Sequence, residues 1–379
     1  PNGHGNEWKN WTSGSDEVDE FIHEIQRNAN ESREFIEWIP YDKFKNVEYV
    51  ARGGFGSVSK AVWTEGYVKW WDCKRKIWKR SGEDSWDGYE VACLKSLDHF
   101  SKEFFQEIKN QLKFRKSNNA IAVYGITKNP EGGDFVMVMQ YAEKGSLRSM
   151  LNENYNKLNW KKKLDILRFI ASGLSEIHKE GLVHKDFHSG NIMMADESAS
   201  YITDFGLCKP IISNPTRDNK IFGVLPYVAP EVLRGKDYTS ESDVYSFGVI
   251  MTEVFTGYPP YHDVSNDVHL MLSICNGLRP RIRRPVPRLL LDLIHRCLDE
   301  KLENRPSSSE LTRTLKRYYV DVNLENEESE IYRQVISIEE DIARSQQDYS
   351  IDFSQLNSDT HSTAVYTSRL LPRPDLFSA

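Results

Sequence analysis

Apolar residues fall at helical spacing near the start of the chain. The first predicted helix begins after Ser15, a residue type that suits the N-cap position. One face of this helix carries apolar residues at i, i+3, i+4 and i+7, namely Val18, Phe21, Ile22 and Ile25. A second apolar group ends at Pro40, so the pattern predicts a helical extension over residues 15–40 that packs on the following domain. The alternative is a helix that binds a partner.

Strand-like alternation of apolar and polar residues marks the next hundred residues. It lies on both sides of a glycine-rich turn at Gly53–Gly56, and the continuous apolar run Phe135–Met139 is typical of a buried strand. One helix interrupts this pattern at residues 101–116, where Phe104, Phe105, Ile108 and Leu112 share a face. These patterns predict a β-rich lobe with one main helix.

Residues 63–90 are unusually rich in tryptophan and lysine. Tyr67–Trp70 and Lys76–Lys79 have the alternation of a hairpin that would lengthen the sheet. Interleaved aromatic and basic residues also occur in proteins that bind single-stranded nucleic acid by stacking. The acidic balance of the whole chain favours the structural hairpin.

Helical spacing dominates after Asn159. One predicted helix ends near Gly181, a residue type favoured just beyond a helix end, and another covers Leu290–Leu298. Beyond Tyr319 the composition becomes acidic and then rich in serine, threonine and aspartate. We therefore expect residues 320–379 to form a largely disordered tail with one helix over Ser329–Ile342.

Charge and cysteine content narrow the class of protein. The chain has 49 basic and 56 acidic side chains, a net charge of −7, which argues against nucleic acid or an anionic membrane as the main partner. The five cysteines are scattered without a CxxC spacing, as in proteins of reducing compartments. No apolar run reaches membrane length and no signal peptide is visible, so we expect an intracellular, cytoplasmic protein without a membrane span.

Two short polar stretches collect the groups that are suited to chemistry. Asp186, in the stretch Leu182–Asn191, is a carboxylate that can take a proton from an attacking hydroxyl. Asn191 and Asp204 offer the hard oxygen ligands that Mg²⁺ prefers. A predicted hairpin of the residues between them would bring Asn191 and Asp204 to neighbouring positions.

The order of three motifs resembles the eukaryotic protein kinases. His184-Lys-Asp-Phe-x-x-x-Asn, then Asp204-Phe-Gly and then Ala229-Pro-Glu look like the catalytic loop, the metal-binding loop and the end of the activation segment. The likeness covers residues 44–319 and is greatest to the tyrosine-kinase-like group, whose members mostly phosphorylate serine or threonine.

The resemblance implies an α+β fold with two lobes and a phosphotransfer reaction. The β-rich N-lobe would span residues 44–140, with the insertion at 63–90, and the larger helical C-lobe would span 141–319. Residues 1–43 would form a partly helical extension. ATP and Mg²⁺ would bind between the lobes, and the γ-phosphoryl group would pass to a hydroxyl of a protein substrate.

The same resemblance assigns roles to single residues. Lys95 would hold the phosphates, oriented by Glu107, with Glu103 one turn earlier as the alternative. The acceptor hydroxyl would be handled by Asp186 with His188 beside it, and the metal would be bound by Asn191 and Asp204. The glycine-rich loop, the adenine pocket and the hinge would supply the remaining nucleotide contacts: Val50, Arg52, Gly53, Gly54, Phe55, Gly56, Val58, Cys93, Met139, Gln140, Ala142 and Met193.

Supporting positions of the family are also matched. Asp243 would brace the catalytic loop from a helix, and Arg305 would pair with Glu231. Ser213 and Thr216 lie in the activation segment, where a phosphate could pair with Lys185; the alternative is that they are unmodified loop residues.

Three positions depart from the family pattern. Ala51 stands where the first glycine is usual, His188 where a lysine or arginine is common, and Val224 where serine/threonine enzymes carry threonine. His188 and Val224 leave tyrosine open as the acceptor, and all three departures favour the alternative of a pseudokinase that binds nucleotide as an interaction module. An active enzyme is favoured by the four intact residues that would carry the chemistry: Lys95, Asp186, Asn191 and Asp204.

Overall fold

A computed structural model describes most of the chain. The described residues are 11–53, 56–72, 74–75, 77–83, 89–97, 102–115, 120–195, 199–210, 221–345, 351, 360–361 and 363–372. The contacts within the chain divide it into two compact units, the first ending at Ala142 and the second beginning at Glu143.

The first unit is built on a twisted sheet. Its described helices and longer strands are, in chain order, α1 (Asp16–Asn28), β1 (Glu37–Trp38), β2 (Phe44–Gly53), β3 (Gly56–Trp63), β4 (Val68–Asp72), β5 (Ile77–Arg80), β6 (Glu90–Leu97), α2 (Lys102–Arg115), β7 (Val123–Lys128) and β8 (Phe135–Gln140). Within the described residues one sheet has the strand order β1-β7-β8-β6-β3-β2. The core on one side of it contains Trp63, Ala92 and Val138, all fully buried.

The prediction of a helical extension over residues 15–40 is wrong for its second half. Helix α1 buries Val18, Phe21 and Ile22, but β1 is an extended strand that pairs in parallel with β7. Pro40 favours an extended backbone in the residue before it, and the N–H of Ile39 donates to Ile126 O at 2.9 Å. Gly125 permits this approach, because a Cβ there would lie 2.0 Å from the carbonyl oxygen of Glu37.

The insertion forms a hairpin, but it does not lengthen the main sheet as predicted. Strands β4 and β5 pair with each other in a separate two-stranded sheet. The hairpin is anchored through its flanks. Tyr67 stacks on Tyr124 with ring centroids 4.6 Å apart, and Arg80 donates to both carboxylate oxygens of Glu37 at 3.0 and 2.6 Å. These contacts give the insertion a structural role within the first unit.

Replacing Arg80 with leucine is expected to destabilise the first unit by about 3–5 kcal/mol, because it leaves a buried charge unpaired. The Glu37 carboxylate is only 5% exposed, and burial raises its pKa while Arg80 opposes that rise. The matched control is Lys79→Leu, whose ion pair with Glu83 is more exposed and should be worth less than about 1 kcal/mol. Urea unfolding measures both, and equal losses would contradict the anchoring role of Arg80.

The second unit is mainly helical in its described part. Its elements in chain order are α3 (Leu147–Asn154), α4 (Trp160–Lys179), β9 (Leu182–Val183), β10 (Ile192–Met194), β11 (Ser200–Ile202), β12 (Lys209–Pro210), β13 (Ile221–Gly223), α5 (Pro230–Leu233), α6 (Ser240–Thr256), α7 (Val268–Cys275), α8 (Arg288–Cys297), α9 (Ser308–Asn323), α10 (Glu330–Ser345) and β14 (Arg369–Leu371). Helix α6 is buried over almost its whole length and forms the centre of the core. Strand β9 packs against this helix, and the backbone N–H of His184, directly after β9, donates to Asp243 in the first turn of α6 at 2.8 Å.

The prediction of a largely disordered tail is wrong for the described residues beyond Tyr319. Helix α9 continues to Asn323, and α10 covers the predicted helix and extends to Ser345. Strand β14 pairs with β13, more than a hundred residues earlier in the chain. The tail is ordered there because a small number of its side chains are buried in the core, which its acidic composition did not indicate. These residues are Ile331, Val335, Ile351 and Leu371.

A buried lysine makes the stability of the second unit depend on pH. Lys163 lies on α4 with its Nζ 4.2 Å from the centroid of the Tyr155 ring. Burial, together with the nearby charge of Arg284, lowers the pKa of Lys163 to about 7. An unfolded lysine has a pKa of about 10.4, so between pH 7 and that value the unfolded chain binds more protons than the folded chain.

Stability should therefore rise with pH above about 7, and Lys163→Met should remove this contribution. The expected slope from this residue is at most about 1.4 kcal/mol per pH unit. The control is Lys161→Met, an exposed position on the same helix. Denaturation curves from pH 6 to 10 should give a difference between Lys163→Met and wild type that shrinks above pH 7, whereas a constant difference would contradict the account.

Candidate active site

The loop that contains Asp186 is held by a buried carboxylate. Asp243, in the first turn of α6, accepts the backbone N–H of His184 at 2.8 Å and that of Lys185 at 3.1 Å. His178 Nε2 lies 3.1 Å from the same carboxylate and Ser308 Oγ lies 3.0 Å from its Nδ1, so His178 is satisfied within the fold. These contacts fix the backbone that presents Asp186, including the left-handed Lys185 with φ 71°.

His184 connects this loop to the segment that carries Asp204. Its Nε2 donates to Thr203 O at 3.1 Å, and its Nδ1 accepts the backbone N–H of Asp186 at 3.3 Å. Burial lowers the pKa of His184 against the opposing charges of Asp243 and Asp186. The ring is therefore neutral at pH 7 and acts as a spacer of fixed orientation.

Asp186 is a buried carboxylate whose oxygens face different partners. Its Oδ2 accepts Asn191 Nδ2 at 3.2 Å and Ser368 Oγ at 2.7 Å, and its Oδ1 lies 3.6 Å from His188 Nε2. Burial raises the pKa of Asp186, but the imidazole of His188 and the hydrogen bond from Ser368 outweigh it and hold the pKa below the usual carboxyl value. Asp186 is thus ionised at neutral pH and able to accept a hydroxyl proton.

His188 takes its orientation from the loop. Its Nδ1 accepts the backbone N–H of Gly190 at 3.1 Å, so the ring proton is on Nε2, which faces Asp186. Within the described part of the chain, neither Asp186 Oδ1 nor His188 Nε2 has a hydrogen-bond partner, and the two atoms lie 3.6 Å apart. His188 stands at a position where the family that the sequence resembles commonly has a lysine or arginine, and it places an imidazole N–H beside the Asp186 carboxylate.

Asn191 and Asp204 lie at the same end of the β10–β11 ribbon. Ile192 pairs with Ile202, and the N–H of Thr203 donates to Asn191 O at 3.0 Å, which brings the flanking residues together. The Asn191 amide nitrogen donates to Asp186 O at 3.0 Å, so its amide oxygen is the group left for a cation.

The donor set at this position fits magnesium. No group of three or more His, Cys, Asp or Glu side chains that could enclose a metal occurs in the described ranges. A pair of one amide and one carboxylate oxygen, from Asn191 and Asp204, suits an ion that keeps several of its waters and also binds phosphate oxygens. Asp204 adopts a left-handed backbone with φ 65°, a strained conformation that is often found at functional residues.

The first unit, taken by itself, contains a buried pair of a lysine and a glutamate. Lys95 on β6 donates to Glu107 on α2 at 2.6 Å, and the two side chains are only 11% and 2% exposed. Glu103, the alternative partner, is exposed on the same helix. The buried carboxylate thus sets the direction of the Lys95 ammonium group.

Replacing Glu107 with glutamine is expected to lower kcat/KM for ATP about tenfold to a hundredfold. A charge-assisted hydrogen bond contributes about 1.5–3 kcal/mol, and without it the lysine loses its fixed direction. Glu103→Gln is the matched control on the same helix and should leave kcat/KM within about twofold. Steady-state kinetics with ATP as the varied substrate would contradict the assignment if both variants lost activity equally.

The other predicted nucleotide contacts of the first unit lie on its sheet. Strands β2 and β3 carry Val50, Arg52, Gly53, Gly56 and Val58, and Ala51 pairs with Val58; Gly54 and Phe55 lie outside the described residues. Two residues of the predicted adenine pocket, Cys93 and Met139, lie on the neighbouring strands β6 and β8.

On the neighbouring strands Cys93 pairs directly with Met139. Burial raises the pKa of Cys93 to about 11, so its thiol is uncharged and apolar in character. The N–H of Gln140 donates to Ala122 O at 2.8 Å, so a contact of Gln140 with adenine would use its carbonyl. Ala142 ends this unit. Met193 lies in the second unit, on β10, where it is bridged to Ser146.

A buried network beneath the loop was not predicted. Glu253 of α6 is fully buried and accepts Ser189 Oγ at 2.9 Å and the Tyr227 hydroxyl at 2.8 Å, and it also pairs with Arg148. Burial, followed by the charge of Glu253, raises the pKa of Tyr227 well above its usual value. The available signal was a glutamate within the mostly apolar stretch Val249–Phe255, because a buried carboxylate requires partners.

A family model described as protein tyrosine and serine/threonine kinase matches residues 44–315. The chain belongs to this protein kinase family. The kinase domain thus includes the sheet with Lys95 and the helical unit with Asp186. Its two-part fold, a β-sheet lobe and a helical lobe, is the fold that the sequence predicts.

Relatives with assigned names are serine/threonine kinases. The kinase is 31% identical to mouse receptor-interacting serine/threonine-protein kinase 4 over 71% of the chain and 33% of that protein. It is 27% identical to a probable serine/threonine-protein kinase of Dictyostelium discoideum over 79% of the chain and 16% of that protein. A probable serine/threonine-protein kinase of Clostridium acetobutylicum is 31% identical over 56% of the chain and 34% of that protein. The kinase chain spans about a third or less of the length of these curated relatives.

Three further predictions concern phosphorylation sites, a membrane span and the residue at position 224. The proposed phosphorylation sites Ser213 and Thr216 lie outside the described residues. Among the described helices, none has both the length and the hydropathy that a membrane span needs. Val224, where a threonine is usual, is buried with an exposed fraction of 2%.

Proposed function

We propose that this chain is a serine/threonine protein kinase that transfers the γ-phosphoryl group of ATP to a hydroxyl of a protein substrate. The observation that carries the proposal is the contact between Ser368 Oγ and Asp186 Oδ2 at 2.7 Å. A serine hydroxyl donates there to an ionised carboxylate in the loop that matches the kinase catalytic loop. This contact supports a hydroxyl acceptor of serine size.

Each group in the proposed reaction has a task that its surroundings support. Asp186 orients the acceptor hydroxyl and takes its proton, and it is prepared for this because it is ionised and fixed by Asn191. Lys95, oriented by Glu107, binds the phosphates of ATP. Magnesium, when held by Asn191 and Asp204, neutralises charge on the phosphate oxygens.

His188 is the proposed neighbour of the transferring group. Its Nε2–H faces Asp186 Oδ1 at 3.6 Å, and it can donate to an oxygen that lies beside this pair of atoms. An imidazole carries less positive charge at neutral pH than the lysine or arginine common at this position. We therefore propose that His188 orients Asp186 and donates a hydrogen bond to the phosphoryl group.

An intracellular location is part of the proposal. The described cysteines Cys93, Cys208, Cys275 and Cys297 are free thiols, as in proteins of reducing compartments. Intracellular fluid also supplies the ATP that the reaction needs. The partners proposed are ATP and a protein substrate.

The proposal is tested with γ-labelled ATP, Mg²⁺ and casein as a generic acceptor. We expect label in phosphoserine or phosphothreonine after acid hydrolysis, and no label when EDTA removes the metal. Label in phosphotyrosine would contradict the acceptor class. Binding of ATP without transfer to any acceptor would contradict the kinase reaction and indicate a nucleotide-binding module.

A further inference from the structure

The carboxyl-terminal segment of residues 363–372 lies on the second unit as an added strand. Its strand β14 pairs antiparallel with β13, with Gly223 opposite Arg369 and Ile221 opposite Leu371. The register places Ser368 directly before the first paired residue. Strand addition of this kind is a common way for proteins to bind extended peptides, because backbone hydrogen bonds give affinity and alternate side chains give specificity.

Side-chain contacts hold the segment along its length. The Asn266 amide donates to Val365 O at 2.8 Å, and Arg369 donates to Asn266 O at 2.7 Å. The Tyr366 hydroxyl donates to Pro260 O at 2.9 Å. Leu371 is buried at 4% exposure while its neighbour Leu370 is 53% exposed, as alternation on a docked strand requires.

Ser368 is the point at which this segment meets the proposed catalytic machinery. Its side chain is buried, with the residue 8% exposed, and its hydroxyl donates to Asp186 Oδ2 at 2.7 Å. Thr367, the adjacent hydroxyl residue, is exposed. Of the two, only Ser368 has the position of an acceptor hydroxyl held by the proposed base.

We propose that residues 363–372 are a substrate segment of the kinase itself and that Ser368 is phosphorylated within the same molecule. This inference rests on the proposed function and adds to it the site and the mode of acceptor binding. While the segment is seated, it also occupies the surface that a protein substrate would need, so the unphosphorylated chain is inhibited toward other acceptors.

The proposed step balances with ATP as the phosphoryl donor. A bond forms between Ser368 Oγ and the γ-phosphorus, and the bond between that phosphorus and the β,γ-bridging oxygen breaks. The hydroxyl proton of Ser368 moves to Asp186 Oδ2, and ADP leaves. No oxidant, reductant or further reactant is required.

Phosphorylation should also release the segment. A phosphoserine carries about −1.5 to −2 charges at neutral pH and would lie against the buried, ionised Asp186. Like charges at this distance in a buried site repel each other strongly. The lysine of the same loop, Lys185, lies with its Nζ 5.6 Å from the centroid of the Tyr238 ring. The modified segment would therefore leave the surface and open it to other substrates.

The first experiment maps phosphate on the full chain after incubation with Mg-ATP. Mass spectrometry should find phosphate on Ser368 in the wild type and in the matched control Thr367→Ala, and none at this position in Ser368→Ala. The fraction modified per minute should stay constant over a hundredfold dilution, because the reaction is intramolecular. A rate that falls in proportion to protein concentration would overturn phosphorylation within the same molecule.

The second experiment separates the segment from the chemistry. The assay uses Ser368→Ala as the parent chain, because its segment cannot be released by phosphorylation during the reaction with ATP. Adding Leu371→Asp to this parent should unseat β14 and lower the KM for casein about tenfold, because a tethered segment competes at an effective concentration on the order of millimolar. Adding Leu370→Asp, one residue away and exposed, should keep the KM of the parent. Equal KM values for the Ser368→Ala parent and its Leu371→Asp variant would overturn the inhibitory contact.

The two proposals fail in different ways. Transfer to casein by the wild type with Ser368 unmodified would overturn the further inference and leave the kinase reaction standing. Absence of transfer to casein in both the wild type and Leu371→Asp would overturn the kinase reaction, and the inference with it.

Discussion

Asp186→Asn should lower the rate of phosphoryl transfer by about 10²- to 10⁴-fold, the range expected when a positioned general base is lost. Asparagine has nearly the same shape and can keep the contact with Asn191, but it cannot accept the proton of a hydroxyl. Burial opposes the charge of Asp186, and its surroundings nevertheless keep its pKa low, so the ionised form is the one that the fold selects. Initial rates with saturating Mg-ATP measure the effect.

Folding must be unchanged for this result to concern catalysis. The thermal unfolding midpoint of Asp186→Asn should lie within a few degrees of wild type, since the substitution removes a buried charge and retains the volume. Asp237→Asn changes an exposed carboxylate of the same unit and should keep full activity. Retention of more than a tenth of the wild-type rate by Asp186→Asn would exclude it as the base.

Arg305→Leu should destabilise the second unit by about 3–5 kcal/mol, the range for breaking a buried ion pair. The two terminal guanidinium nitrogens of Arg305 donate to Glu231, at 2.7 and 2.9 Å, and the two side chains are 0% and 4% exposed. Arg305 also donates to the backbone carbonyl of Asp299 at 2.9 Å. Leucine would leave the Glu231 carboxylate charged, buried and without its partner.

The double variant Arg305→Leu/Glu231→Leu tests this cause directly. Removing both charges should recover part of the lost stability, because no unpaired carboxylate remains. Arg296→Leu is the control, since its pair with Glu310 is 49% and 32% exposed and should contribute about 1 kcal/mol or less. Urea unfolding followed by tryptophan fluorescence gives all the values. A loss in Arg296→Leu as large as in Arg305→Leu would contradict the argument from burial.

Local patterns predicted what is close in sequence. Asn191 and Asp204 are joined by one short ribbon, so apolar runs and a turn were enough to place them at the same end. The same holds for α1, whose apolar face follows from its spacing. Residues 35–39 show the limit of this reasoning, because four apolar residues in a stretch of five fit a helix or a strand equally well. The backbone pairing of Glu37–Trp38 with β7 makes this stretch a strand.

Contacts between distant parts of the chain could not be predicted from local patterns. Ser368 meets Asp186 across 182 residues, and its segment has too few apolar residues to show a periodicity. Composition marked this region as acidic and polar, yet the burial of Leu371 and the pairing with β13 depend on the surface already formed by other elements. The network around Glu253 is similar, since its partners Ser189 and Arg148 lie far from it in sequence.

The most direct measurement of the central claim is a single-turnover reaction of the full chain with γ-labelled Mg-ATP and casein. The account predicts that ADP and labelled phosphoprotein rise together, with one phosphoryl group on a serine or threonine for each ADP formed, and that Asp186→Asn slows both. Formation of ADP without phosphoprotein, or of neither product with nucleotide bound, would contradict it.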